Sequence, residues 1–351
     1  MRKTILQKTL LPCLFMLALF TVPSFQKEQK RYEASFLDLF DTVSMIIGYD
    51  TDKEAFSAFS QETHDTLAEF HQLYDIYHDD AAVSIKTIND NAGIAPVKVD
   101  QRIIDLLQMS REIDRITDGK TNVAMGAVLR IWHTYREEGI DDPSAARLPP
   151  MDMLREAALH INIDDMIIDE KASTVYLQDP QMSLDVGAVA KGYATEQAAA
   201  AIQRSGRKNV LLSIGGNVRA IGRKPDGSPW GVAIQNPDKG SEQDRLFTLN
   251  IDGLSVVTSG AYQRYYTVDG VAYNHIIDPD TLMPATYFSS VSVVTADSGL
   301  ADGLSTSLFC MPLDAGKELV AGLGNVEACW VLPDGTIEMT GGFAAMIKNQ
   351  P

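Results

Sequence analysis

A carboxylate, a glycine and a lysine are closely spaced in the segment 184–194, which has the sequence LDVGAVAKGYA. Asp185 and Gly187 precede an alanine-rich helical stretch, and Lys191 falls in its first turn. A helix N terminus carries partial positive charge, so it disfavours a lysine and favours an anion. A phosphate that rests on the free amides and pairs with Lys191 would balance this charge. Alternatively, Lys191 points into water or pairs with Asp185, which costs little for a surface charge.

Hydroxyl groups accompany a second carboxylate in the segment 300–309, LADGLSTSLF. On a helix, Asp302, Ser305 and Thr306 share one face because they are spaced by three and four residues. Hard oxygen ligands of this kind suit Mg²⁺, which completes its coordination with water and phosphate oxygens. The alternative interpretation is helix capping and packing.

His275 is the one histidine in turn-rich, polar surroundings, within the sequence NHIIDPDT. Its near-neutral reference pKa suits a general base that works through roughly pH 6 to 7. Alternatively, it is a structural histidine that bonds a backbone carbonyl or Asp278.

Periodic hydrophobic patterns predict the elements that must position these residues. Apolar stripes predict helices over 53–77, 100–117, 188–203 and 299–309. Short β-rich runs predict strands over 174–177, 209–214, 230–235, 246–251, 290–295 and 328–332. Strands with helices packed on them indicate an α/β or α+β layered body. His64, His71 and His78 recur every seven residues on the first helix, about 10 Å apart at 1.5 Å per residue, so they predict a solvated edge and not one metal site.

Length and charge exclude several protein classes. The chain has 351 residues, of which 45% are hydrophobic and 22% charged, as in a globular protein of one elaborated domain or two intimate ones. The formal net charge of −17 repels polyanions and argues against nucleic acid as a partner. The common nucleotide fingerprints GxGxxG and GxxxxGK[ST] do not occur. The three cysteines form no CxxC pair, so their spacing predicts neither a disulfide framework nor a thiolate metal site.

The first 26 residues have the pattern of an export signal. Arg2, Lys3 and Lys8 precede an uncharged run over residues 9–25, which is at the lower limit for spanning a bilayer. Residues 24–26 make a poor cleavage site, so a removed signal peptide and a retained membrane anchor both remain possible. Either one places the body, expected to begin near Ser35, outside the cytoplasm.

Five motifs in order resemble the ApbE family of FAD:protein FMN transferases. They are LDVGAVAKGYA, SIGGNVRAIG, TSGAYQRYY, NHIIDPDT and LADGLSTSLF, and the similarity spans about residues 35 to 343. The resemblance implies a T-fold-like α/β (α+β) body with mixed sheets and packed helices over residues 35–345. It also implies that the protein cleaves FAD with Mg²⁺ and attaches FMN by a phosphoester bond to a Thr or Ser of an exported flavoprotein. AMP is then released, at the outer face of the cytoplasmic membrane.

The resemblance also implies roles for individual residues. The implied metal ligands are Ala188, through its carbonyl, Asp302 and Thr306, with Ser305 adjacent. The implied FAD contacts are Phe40, Tyr77, Lys120, Thr121, Asn122, Asp185, Lys191 and Ile276. Phe40 and Asp41 replace the Met and Gly of a family Met-Gly-Thr strand, and Asn122 stands where an aspartate is usual.

Residue chemistry and resemblance together predict one reaction. The FAD diphosphate lies between Lys191 and Mg²⁺, Asp302 anchors the metal, and His275 is the base for the incoming hydroxyl. The acceptor motif of the target resembles Ser-Gly-Ala-Thr, whereas residues 259–262 here end in tyrosine, so the chain is expected to modify another protein. The alternatives are a FAD pyrophosphatase that yields FMN and AMP, and a FAD-binding protein without turnover.

Overall fold

The computed structural model describes residues 28–78 and 83–348. The predicted signal peptide or membrane anchor over residues 1–26 lies outside this part of the chain. Among the described residues, no helix has both the length and the apolar character needed to cross a membrane. The first strand begins at Lys30, so the folded body extends further towards the N terminus than the expected start near Ser35.

Helices and short strands alternate along the described chain. The helices are α1 (Lys53–Leu73), α2 (Ile85–Asp90), α3 (Gln101–Ile116), α4 (Gly126–Asp141), α5 (Met151–Ala157), α6 (Ala190–Arg204), α7 (Ser298–Phe309), α8 (Leu313–Leu323) and α9 (Gly341–Met346). The strands are β1 (Lys30–Leu39), β2 (Thr42–Asp50), β3 (Val97–Lys98), β4 (Met166–Asp169), β5 (Thr174–Leu177), β6 (Val210–Ile214), β7 (Asn217–Ile221), β8 (Trp230–Gln235), β9 (Arg245–Ile251), β10 (Ser255–Gly260), β11 (Tyr265–Val268), β12 (Val271–Asn274), β13 (Ser290–Thr295), β14 (Glu327–Val331) and β15 (Ile337–Met339).

The largest sheet has eight strands in the order β1-β2-β6-β7-β10-β13-β14-β15. Smaller sheets pair β11 with β12 and β8 with β9, and place β5 between β3 and β4. All the pairs between these strands are antiparallel. The fold is therefore a mixed α+β body with several sheets, as the sequence predicts.

The middle of the large sheet is covered on both faces. All six residues of β13 are buried. Val291 and Val293 pack with Leu304 and Leu308 of α7 in one apolar cluster. Val294 packs on the opposite face with side chains of the β8–β9 ribbon. Double coverage explains why every residue of β13 is buried, including the polar Ser290, Ser292 and Thr295.

The predicted elements agree closely with the structure. The strands predicted over 174–177, 230–235 and 290–295 are β5, β8 and β13, and the other predicted strands differ only at their ends. The four predicted helices are α1, α3, α6 and α7. The helix predicted to extend to Tyr77 ends at Leu73, where Tyr74 caps it.

The histidine edge of α1 is less solvated than expected. His64 contacts the Phe36 ring at 4.6 Å between centroids, and its Nε2 lies 3.0 Å from Asp38 Oδ2. His71 accepts a hydrogen bond from the Phe40 N–H at 3.3 Å. These histidines therefore fasten the β1–β2 hairpin to α1, a tertiary contact that the spacing alone could not indicate.

Candidate active site

Helices α6 and α7 cross at Gly192, where the two backbones come unusually close. A Cβ atom at this position would lie 2.3 Å from the Ser298 carbonyl oxygen and 2.4 Å from Asp302 Cβ. Real side chains do not approach so closely, so only glycine allows this crossing. The N termini of both helices are therefore held together, and α7 is itself capped by Asp297, which accepts from the Leu300 N–H.

The Asp302 carboxylate lies in this crossing and is buried, with 5% of the residue exposed. Its Oδ2 accepts hydrogen bonds from the Gly192 N–H at 2.8 Å and from the Asn217 amide at 2.9 Å. The Lys191 ammonium is 3.8 Å from the same oxygen. Burial raises the pKa of Asp302, and Lys191, Gly192 and Asn217 act in the opposite direction. The site is thus arranged around a carboxylate that needs cationic neighbours.

The Ala188 carbonyl is left free by the same contact. A helical N–H at Gly192 would normally return to the carbonyl four residues earlier, but here it is directed to Asp302. Among the described backbone groups, none donates to the Ala188 oxygen. This carbonyl is therefore available to a ligand from outside the chain.

The two hydroxyls of the predicted metal site differ in their contacts. Ser305 donates to the Asp302 carbonyl at 2.9 Å and shares a hydrogen bond with the Ser259 hydroxyl at 2.7 Å. The Thr306 hydroxyl is half-buried and bonds no other described side chain or backbone group. Thr306 is therefore better placed than Ser305 to act as a ligand.

These oxygens fit Mg²⁺ better than a transition metal. The described residues contain no group of three or more His, Cys, Asp or Glu side chains that could hold a metal ion. A metal here would instead have one carboxylate, one carbonyl and one hydroxyl, from Asp302, Ala188 and Thr306. Few protein ligands, all of them hard oxygens, are typical of Mg²⁺ sites that bind phosphate.

Lys191 pairs with Asp302 and not with Asp185, the partner considered from the sequence. Its Nζ also donates to the Gly187 carbonyl at 3.1 Å. Asp185 accepts from the Gly187 N–H at 2.9 Å. Burial raises the pKa of Asp185, whereas this hydrogen bond and the nearby side chains of His133, Lys191 and Arg136 lower it.

His275 follows β12 and bonds the backbone of Arg264 twice. Its N–H donates to the Arg264 carbonyl, and its Nδ1 is also 3.1 Å from that oxygen. A carbonyl can only accept, so this contact assigns the ring proton to Nδ1 and leaves the lone pair on Nε2. Burial and the charges of Arg264, Arg136 and Lys191 lower the pKa of His275 to about 4. The imidazole is therefore neutral at pH 7 and can accept a proton, and its titration lies below the pH 6 to 7 expected from the sequence.

Tyr77 brings an exposed aromatic ring to the same region. The residue is 53% exposed, and its ring lies 5.2 Å from the His133 ring at an interplanar angle of 31°. Burial of the hydroxyl and the nearby Asp185 raise the pKa of Tyr77 to about 12. The ring is thus held beside Asp185 with one surface open for an aromatic ligand.

Phe40 and Asp41 form the turn between β1 and β2, with φ values of 55° and 51°. Phe40 is half-buried against His71, and Arg264 donates to the Asp41 carbonyl at 3.2 Å. The implied FAD contact at Phe40 thus lies on a hairpin turn that is tied to Arg264, the residue whose carbonyl bonds His275. A left-handed conformation is costly for a bulky residue and is often found beside functional sites.

The predicted FAD-binding stretch 120–122 is anchored to the protein through its side chains. Lys120 pairs with Asp278 at 3.1 Å and Asp280 at 2.7 Å. The buried Thr121 hydroxyl bonds the Gly303 carbonyl and the Ser307 hydroxyl of α7. The side chain of Asn122 bonds Ile161 and Ala124. These bonds join the stretch to α7 and to the His275 loop, and its role in FAD binding stays a prediction.

Ile276 is also buried, and its N–H donates to the Asn274 side chain at 2.9 Å. The role of Ile276 in FAD binding, like that of residues 120–122, stays a prediction. Among the predicted site residues, Lys191 and Asp302 are in direct contact. Lys191 also affects the pKa values of Asp185 and His275, and Asp185 affects that of Tyr77.

Sequence reasoning missed several residues of this region. Asn217 lies in the quoted SIGGNVRAIG motif, where the asparagine after two glycines was the available signal. Arg264 lies in the quoted TSGAYQRYY motif, without an assigned role. His133 and Arg136 lie on α4, a helix that the sequence analysis did not predict.

Known proteins share this arrangement of sequence and fold. The family model described as "ApbE family" matches residues 40–330. A FAD:protein FMN transferase of Treponema pallidum is 30% identical over 302 residues, which cover 82% of this chain and 81% of the relative. One from Klebsiella pneumoniae is 31% identical over 252 residues, covering 72% and 75% respectively.

Solved structures agree with these sequence relatives. The crystal structure of an ApbE protein from Thermotoga maritima has a TM-score of 0.78 and 27% identity, and the alignment covers 91% of this chain and all of the other. The flavin transferase ApbE of Vibrio cholerae, at 23% identity and a TM-score of 0.76 with the same coverage, has the same fold. The chain therefore belongs to the ApbE family, and it is a transferase.

Proposed function

We propose that this protein is a Mg²⁺-dependent FAD:protein FMN transferase. It moves FMN from FAD to a Thr or Ser hydroxyl of an exported flavoprotein and releases AMP. One observation carries the proposal: the buried Asp302 carboxylate redirects the Gly192 N–H and leaves the Ala188 carbonyl free beside Lys191. The names of the Treponema and Klebsiella relatives support the same activity.

Asp302, Thr306 and Ala188 would hold the metal. When bound, Mg²⁺ would neutralise charge on the diphosphate and stabilise the phosphoryl group during transfer. Lys191 and the first turn of α6 are suited to hold the phosphate oxygens, because both present positive charge. A buried carboxylate beside an anionic substrate is unfavourable without a cation, so the acidic and phosphate-binding halves of the site depend on each other.

His275 is suited to deprotonate the acceptor hydroxyl. Its neutral Nε2 accepts the proton as the hydroxyl oxygen forms a bond to the phosphorus of the FMN moiety. The bond from that phosphorus to the bridging oxygen of the diphosphate breaks, and AMP leaves with the electron pair. Because the Arg264 carbonyl fixes the ring through Nδ1, the ring need not reorient before it accepts the proton.

The acceptor is expected to be another protein with a Ser-Gly-Ala-Thr-like motif. In this chain, the Ser259 and Thr258 hydroxyls lie in β10 and bond Ser305 at 2.7 Å and Ser292 at 2.8 Å. Their place inside the large sheet supports a role as structural hydroxyls. We further propose that the protein works at the outer face of the cytoplasmic membrane, through the signal or anchor expected at residues 1–26.

A transfer assay tests the proposal. The full chain is incubated with FAD, Mg²⁺ and a flavoprotein domain that carries the acceptor motif, and both the target mass and AMP are measured. We expect one FMN added per target and AMP in equal amount, both lost with EDTA. A target whose acceptor Thr is replaced by Val is the control. Release of FMN and AMP without target labelling would instead establish a FAD pyrophosphatase, and FAD binding without products would establish a binding protein.

A further inference from the structure

Arg136 is a half-buried guanidinium whose only described hydrogen bond is to a histidine ring nitrogen. It extends from α4, and its Nη2 lies 2.7 Å from His133 Nδ1. A guanidinium can only donate, so His133 Nδ1 accepts and the ring proton lies on Nε2, which is 3.1 Å from Glu137. The His133 contact therefore orients Arg136 without balancing its charge.

Two other cations with little exposed surface are paired with carboxylates, whereas the partly buried Arg111 donates to the Met166 carbonyl. Arg219 bonds Glu196 at 2.8 Å, and Lys120 bonds Asp278 and Asp280. Arg136 makes no ion pair with any carboxylate in residues 28–78 and 83–348; Glu137 and Asp185 favour its charge from a distance, and burial still lowers the pKa of Arg136. An incompletely balanced, partly desolvated charge is unfavourable unless a ligand completes it.

Arg264 is a second guanidinium beside Arg136 without a carboxylate partner in the described residues. Its side chain donates to the Asp41 carbonyl, and its own carbonyl holds His275. Burial and the charge of Arg264 lower the pKa of Arg136, so the two groups lie close enough to repel each other. Arg136 bonds His133, whose ring lies against Tyr77, and the Arg264 carbonyl bonds His275, so both arginines lie at the candidate active site. The charges of both arginines also lower the pKa of His275.

The surroundings favour a nucleotide phosphate over a simple anion. The Tyr77 ring lies against His133, the residue that orients Arg136, so an open aromatic surface and a guanidinium fork occur together. Aromatic surfaces suit nucleotide rings, and the guanidinium fork matches phosphate oxygens. In a chain with a net charge of −17, a local cationic group also attracts an anionic substrate that the rest of the surface repels.

We propose that Arg136, assisted by Arg264, is a specificity-determining residue that binds a phosphate group of the flavin dinucleotide beside the Tyr77 ring. This inference rests on the proposed function and adds a phosphate contact outside the Lys191 and Asp302 site. It assigns to α4 a direct part in recognising the substrate.

Binding of FAD, FMN, AMP and riboflavin to the full chain in EDTA tests the inference, because metal contributions are then removed. Arg136→Gln should weaken FAD binding about tenfold or more, the scale of a lost charged hydrogen bond, and leave riboflavin unchanged. The FAD affinity of Arg136→Lys should lie between those of the parent and of Arg136→Gln, because lysine keeps the positive charge but lacks the paired N–H donors of the guanidinium. Arg130→Gln is the matched control, because Arg130 is an exposed arginine on the same helix.

The mononucleotides identify the phosphate. If Arg136→Gln also binds AMP more weakly than the parent does, the contact is to the adenosine phosphate. If it instead binds FMN more weakly, the contact is to the flavin phosphate. Unchanged FAD affinity in Arg136→Gln, or an equal loss for riboflavin, would overturn the inference. If the parent chain binds FAD but never transfers FMN, the proposed function fails while the phosphate contact stands. If it transfers FMN and Arg136→Gln binds FAD like the parent, only the phosphate contact fails.

Discussion

The backbone N–H of Gly192 donates to the Asp302 carboxylate at 2.8 Å across the crossing of α6 and α7. This hydrogen bond fixes the carboxylate and also withholds the N–H from the Ala188 carbonyl. Two of the three proposed metal ligands are thus prepared by a single contact. The crossing itself requires glycine, so the sequence position, the packing and the proposed chemistry depend on one another.

Replacing Asp302 should abolish FMN transfer. Asp302→Asn keeps the size and an acceptor oxygen for Gly192 but removes the only carboxylate proposed to anchor Mg²⁺. Asp302→Ala should in addition lower the free energy of unfolding by about 1–3 kcal/mol, because buried donors lose their partner. The measurements are transfer rate against Mg²⁺ concentration and thermal unfolding. Asp297→Asn, which retains the cap of the same helix, is the control, and full Mg²⁺-dependent transfer by Asp302→Asn would refute the metal assignment.

A methyl group at Gly192 should separate α6 from α7. We expect Gly192→Ala to lower the free energy of unfolding by about 1–3 kcal/mol or more, since the new Cβ overlaps backbone and not a flexible side chain. Gly322→Ala is the matched control: Gly322 is in α8, and a Cβ there meets nothing within 4 Å. Denaturant unfolding of both variants provides the comparison. Equal stability of the two would show that the crossing tolerates a side chain.

Lys191→Met should weaken FAD binding while the fold is retained. A charged hydrogen bond to phosphate contributes about 1.5–3 kcal/mol, which corresponds to a loss of tenfold or more in affinity. Titration by flavin fluorescence measures the effect, and Lys208→Met, an exposed lysine beyond the end of α6, is the control. An unchanged dissociation constant would mean that Lys191 serves only to balance Asp302.

His275→Asn should lose FMN transfer far more than FAD binding, because it removes the proton acceptor and keeps the phosphate contacts. Since the pKa of His275 is lowered to about 4, the parent rate should rise as the pH increases through about 4 and then level off. An increase in transfer rate centred between pH 6 and 7 would contradict the lowered pKa of the proposed base.

The same group should affect stability at low pH. The unfolded imidazole binds a proton below about pH 6.5, whereas the folded one does so only near pH 4. The unfolding free energy therefore has its full value, as far as His275 is concerned, above pH 6.5, and it decreases as the pH falls towards 4. His275→Asn should flatten this part of the curve of unfolding free energy against pH, and an unchanged slope would argue against the lowered pKa.

Local sequence patterns determined many of the elements and several of the reactive segments. Strands β5, β8 and β13 and helices α6 and α7 were predictable because alternation and helical periodicity report which face of a segment is buried. The β1–β2 hairpin was missed because its turn consists of Phe40 and Asp41 at positive φ, without the glycine or asparagine that usually marks such a turn.

Tertiary structure alone decided how the reactive residues meet. Asp302 bonds Gly192 across 110 residues of sequence, and the Arg264 side chain bonds the Asp41 carbonyl across 223 residues, contacts that no local periodicity encodes. The low pKa of His275 likewise arises from burial and from the charges of Arg264, Arg136 and Lys191. Sequence spacing identified Asp302, Lys191 and His275 as reactive groups, but their charge states depend on through-space distances, which only the folded chain sets.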